Sequence, residues 1–104
     1  SADSLEAAAM ALCEKVKACY LAQIQESEMR PDMREMMEPM LEIRCASMRA
    51  GIQDVPNGHP LYQPAVACMR SMAQLSCDDF QDGDKVVTPE CQKYQEMAED
   101  YAGS

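Results

Sequence analysis

Six cysteines in a chain of 104 residues constrain what it can fold into more than any other feature. No two of them form a CxxC pair and His59 is the only imidazole, so a zinc cage lacks ligands and the thiols read as crosslinks. That reading places the chain in an oxidising compartment. Phe occurs once, Trp never and Tyr four times, which leaves the interior to Leu, Ile, Val, Ala and Met. Such a core is malleable, and at this length covalent staples supply a large share of stability. The expectation is one all-α domain over residues 1–104, a disulfide-stapled bundle of four main helices.

The helices follow from apolar spacing and capping. Asp3 and Glu6 form a capping pair ahead of an Ala/Leu-rich run, and Leu5, Ala9, Leu12, Val16, Tyr20 and Ile24 recur at steps of three or four. This first helix should fray near Ser27. Asp32 with Glu35 repeats the cap at the head of a second helix, giving an antiparallel hairpin, and Pro39 predicts a kink or a restart within it. Gly51 is placed to end that helix in a left-handed conformation, before a loop from Gln53 to His59. Leu61, Ala65, Cys68, Met72 and Leu75 mark a third helix whose start Pro64 can delay. Asp78 to Val87 is a loop by composition, and Thr88 then caps a fourth helix with Pro89 in its first turn and a stripe of Cys91, Tyr94, Ala98 and Tyr101. Ala102 to Ser104 should be loose.

Crosslinking adds a constraint between helices. Cys13 and Cys19 lie six apart on one helix, so at ~100° per residue they point about 120° apart and need different neighbours. Cys77 and Cys91 flank a thirteen-residue connection that a bridge between them would close. The remaining four pair either as Cys13 with Cys68 and Cys19 with Cys45, or as Cys13 with Cys45 and Cys19 with Cys68. Axial level does not separate these, and a bend at Pro39, which brings Cys45 toward Cys19, favours the first.

The candidate site is a methionine cluster. Met29, Met33, Met36, Met37 and Met40 share one helical face, with Met48 a few turns on. Such a face is either soft packing surface or a row of thioether donors for Cu(I). Arg30 and Arg34 within the cluster oppose a cation, which favours packing or partner binding on Met33, Met36, Met37 and Met40, with copper held by Met29, Met33, Met36, Met37 and Met40 as the alternative. A groove opened by Pro39 predicts exposed methionines, whereas a core predicts buried ones.

Charge narrows the partners. Net charge is −9, and residues 78–104 contribute −6 of it, a surface that repels phosphate backbones and excludes nucleic acid as a natural ligand. The acidic loop fails as a calcium loop, because starting at Asp78 places Phe80 third and Pro89 twelfth, where carboxylates are required. His59 stands alone in a loop, and no nucleophile elbow, phosphate-cradling glycine loop or H-E-x-x-H motif occurs. No enzyme is expected, no cofactor other than the copper alternative, and no apolar run reaches membrane-spanning length.

The phrases A-L-C-E-K-V-K-A-C, Y-Q-P-A-V-A-C-M-R-S-M-A-Q-L-S-C-D-D-F and T-P-E-C-Q-K-Y resemble small exported six-cysteine helical proteins and lipoproteins of Gram-negative bacteria. The resemblance covers most of the chain. It implies a periplasmic or secreted setting, free or lipid-anchored before processing, and transfers no functional residue. The cysteine spacing does not fit twin C-x9-C hairpin proteins, insect odorant-binding proteins or saposins. The function expected is therefore a non-enzymatic cell-envelope binding module, its partner an envelope protein or an apolar small molecule.

Overall fold

The computed structural model describes residues 4–28, 30–52 and 55–103, and every regular element among them is helical. Five helices follow one another: α1 (Leu5–Glu26), α2 (Pro31–Ile52), α3 (Tyr62–Ala73), the short α4 (Cys77–Gln81) and α5 (Pro89–Ala102). The all-α, disulfide-stapled bundle expected from spacing is what forms.

Each start has a local cause. Ser4 caps α1, its hydroxyl accepting from the Ala7 amide, so the work assigned to Asp3 falls to its neighbour; Asp3 itself lies outside the described residues. α2 begins at Pro31, whose fixed φ suits a first turn, and the Arg30 carbonyl accepts from the Met33 and Arg34 amides. Asp32 sits inside this turn and pairs with Arg30 at 3.3 Å instead of capping. Thr88 caps α5 as expected, accepting from the Cys91 amide at 3.2 Å with Pro89 first in the helix.

Two expectations about chain reversal fail. Gly51 lies within α2 and no described glycine has positive φ; the left-handed residue is Glu28, at φ 58° in the connection between α1 and α2. The stretch from Asp78 is not all loop, because the Ser76 hydroxyl accepts from the Asp79 amide at 3.1 Å and nucleates α4. Residues 53 and 54 of the expected Gln53 to His59 loop, and Ser104, lie outside the described residues.

α2 runs through Pro39 without a restart. Pro39 and Glu35 are both exposed, a surface position at which the loss of one amide donor costs less than in a core.

α1 and α2 are antiparallel. Along the pair, Glu6 meets Arg49, Cys13 meets Cys45, Lys17 meets Glu42 and Tyr20 meets Met37, one partner rising in number as the other falls. α1 also packs on α3, and α3 on α5. The buried cluster joins Leu5 and Ala8 of α1 to Tyr62 and Val66 of α3, with Ile52, Ala65 and Met69 against it. Tyr62 accepts the Leu5 amide on its buried hydroxyl at 2.8 Å, satisfying one of the free donors at the head of α1. On α3 the buried stripe thus passes through Tyr62 and Val66, rotated from the expected line through Leu61 and Cys68.

Neither Cys77 with Cys91 nor the favoured pair of bridges forms, and of the other arrangement only Cys13 with Cys45 does. Cys13 bonds Cys45, Cys19 bonds Cys77 and Cys68 bonds Cys91. Cys77 opens α4 and is tied to Cys19 of α1, and that leaves Cys91 to α3, on which α5 packs. Cys13 reaches Cys45 across the antiparallel α1–α2 pair. The chain-entropy picture gives about 3.5 to 4 kcal/mol per bridge for loops of this length. That share is large because Cys13, Cys19, Cys45 and Cys91 themselves belong to a short roster of buried apolar residues.

The molecule is elongated, 51 × 29 × 28 Å with a radius of gyration of 15.6 Å. A compact chain of this length would give about 13 Å. α2 accounts for the difference, since Cys45 is its only buried residue among those described.

Candidate functional site

The methionine cluster divides between two faces of α2. At ~100° per residue, Met37 is turned away from Met36 and Leu41 away from Met40. Met37, Leu41 and Cys45 face α1; Met33, Met36 and Ile43 face outward, 48%, 69% and 65% exposed, and Met40, 58% exposed, sits between the two faces at the lip of the space between α1 and α2. These four exposed residues follow steps of three, four and three, the spacing of a seam between paired helices. Sequence periodicity put Met37 with the others because a wide apolar arc contains both stripes.

The inward stripe makes a groove of about 270 Å³ between α1 and α2, lined by Val16, Tyr20, Met37, Leu41 and the Cys13–Cys45 bridge, with Met40 at its rim. Pro39 does not shape it; that residue lies on a shallow acidic depression with Glu35, Glu38 and Glu42. Inside the groove the Tyr20 hydroxyl donates to the Met37 sulfur at 4.0 Å, a weak contact that orients both side chains. Lys17 and Arg44 stand at its edge. Lys17 bonds Glu42 and Glu14, and these two carboxylates, Glu42 first, raise its pKa above the ordinary lysine value.

The thioether donors of the copper alternative do not converge on one point. Met37 is engaged with Tyr20 in the groove that Met40 also lines, while Met33 and Met36 look outward, and Met29 lies outside the described residues. Among the described residues no cluster of three or more His, Cys, Asp or Glu has metal-binding geometry, so the acidic stretch after Cys77 offers no cation site there. Asp82 instead caps its own turn, accepting from the Asp84 amide at 2.9 Å.

His59 belongs to the body and not to this site. Its Nδ1 accepts from the Leu61 amide at 3.1 Å, and its ring lies 5.0 Å from that of Tyr101. This is a structural contact between the α3 approach and α5 that sequence reading of a lone histidine did not reveal. His59 also lines an apolar recess of about 280 Å³ together with Leu5, Tyr62 and Tyr94. No described helix is long and apolar enough to cross a membrane. The chain matches no family model, no curated protein and no solved structure.

Proposed function

We propose that this chain is a non-enzymatic binding module of the cell envelope, periplasmic or secreted, whose α2 presents a docking face to an amphipathic helix of a partner protein. One observation carries the proposal. Met33, Met36, Met40 and Ile43 are each about half exposed or more at coiled-coil spacing, and of the four only Met40 also lines the groove by which α2 meets α1. Methionine suits such a face because its flexible thioether adapts to several apolar shapes. Exposed Glu35, Glu38 and Glu42 adjoin the seam at Ile43, across a depression they share with Pro39, so the complementary helix carries basic residues at that end of its apolar stripe. Burial would contribute roughly 25 cal/mol per Å² before the costs of ordering.

The test uses protein labelled at methionine methyls, titrated with basic amphipathic helical peptides and followed by NMR. Shifts concentrated at Met33, Met36 and Met40 that weaken with salt are the expected result. Shifts led by Met37 would move the site to the groove and an apolar small molecule. Absence of any shift up to millimolar peptide removes the docking face. Copper binding draws on the same side chains, but full loading requires Met37 to leave Tyr20, so Cu(I) would shift Met37 together with the outward methionines.

A further inference from the structure

We infer that the outward face of α2 is a reversible oxidation site, in which Met33, Met36 and Met40 are converted to sulfoxides by hydroperoxides and the seam is thereby switched from apolar to polar. The observations are ones of access and consequence. These three sulfurs belong to side chains 48%, 69% and 58% exposed, while Met10, Met37, Met48, Met69, Met72 and Met97 are partly covered by neighbouring helices. In an oxidising compartment the cysteines are already consumed, all six being in bridges. The thioether is then the side chain left to react with a two-electron oxidant.

The step balances without a cofactor. A sulfur lone pair attacks the terminal oxygen of the hydroperoxide, the O–O bond breaks, a proton moves to the departing oxygen, and sulfoxide and alcohol (or water, from hydrogen peroxide) result. Sulfur loses two electrons and the peroxide gains them. Each sulfoxide adds a strong dipole and a hydrogen-bond acceptor where the side chain was apolar. Three along one stripe, at steps of three and four, remove the continuous surface that a partner helix would cover. The body is insulated from the change, because Leu5, Ala8, Tyr62 and Val66 hold the core and none of the three methionines touches it.

The switching half of this inference rests on the docking face proposed above; the oxidation half does not, and the experiment reads it first on the free protein. Purified, disulfide-intact protein is exposed to graded hydrogen peroxide and mapped by peptide mass spectrometry, with thermal unfolding followed in parallel. Met33, Met36 and Met40 should each gain one oxygen roughly fivefold faster than the six covered methionines. The melting temperature should hold until the covered methionines react, and methionine sulfoxide reductases should restore the starting mass. Equal rates across all nine, or faster reaction at a covered methionine, overturns the site. Loss of the folded state in step with the first three oxygens overturns the surface switch. A variant with Met33→Leu, Met36→Leu and Met40→Leu should take up three fewer oxygens at the same dose, and undiminished uptake would likewise count against it. Should the mapping succeed and peptide binding prove indifferent to oxidation, the docking proposal is the one that fails.

Discussion

The body formed by α1, α3 and α5 and the arm formed by α2 are made from similar residues put to opposite use. In the body, Leu5, Ala8, Tyr62 and Val66 are buried, and Thr88, covered by its surroundings, bonds Ser71 at 2.6 Å while capping α5. In the arm, helix length equals that of α1 but fewer residues are apolar, eleven of 22 against fifteen of 22, and only Cys45 is buried. Geometry decides which of those eleven are covered. α3 has helices on two sides, whereas α2 lies mainly against α1 and keeps an outer face free. An apolar stripe therefore becomes core or surface according to the number of neighbours its helix has, which spacing alone does not encode.

The largest expected effect lies in the body. Tyr62→Ala removes a buried ring and the acceptor for the Leu5 amide, and should cost about 3 to 5 kcal/mol in denaturant unfolding under non-reducing conditions. Next comes the tether of the arm. Replacing Cys13 and Cys45 together with Ala should cost about 2 to 4 kcal/mol, with faster amide exchange confined to α2 and its side of α1. Exchange that rises equally in α3 and α5 would erase the distinction between arm and body. Met36→Ala with Met40→Ala should stay within about 0.5 kcal/mol, as exposed substitutions do. A loss of core size would show that the outward stripe is packed after all.

The smallest effect concerns charge at the hairpin. Since Glu42 and Glu14 raise the pKa of Lys17 in the folded state, their stabilisation is fully present below the ordinary lysine value of about 10.4 and is lost as pH climbs through the folded value. Glu42→Gln should flatten that alkaline decline in a pH series of melting temperatures. A decline of unchanged steepness would assign it to other groups.

The helices were legible where the signal is local. Thr88 followed by Pro89 specifies the start of α5 through contacts within a single turn, and the periodicity of α1 and α2 gives the hairpin. Ser76 ahead of Asp79 carried the same kind of signal for α4, but the acids and Gly83 around it read as loop. The bridges were not legible, because each depends on where two helices end up in space. Bringing the head of α4 to α1 takes Cys77 to Cys19, and the other assignments change with it. At the site, the sequence places the methionines on one wide arc of α2. Which of them meets α1, as Met37 and the rim residue Met40 do, and which faces outward, as Met33 and Met36 do, depends on the angle at which α1 approaches, which the Cys13–Cys45 bridge helps to fix.

The bridges interleave along the chain, so that no cysteine is joined to the next one in sequence. Pairing in chain order would give every thiol a wrong mate, beginning with Cys13 and Cys19. From that start, the observed set is reached only by exchange through mixed disulfides, a slower event than helix formation.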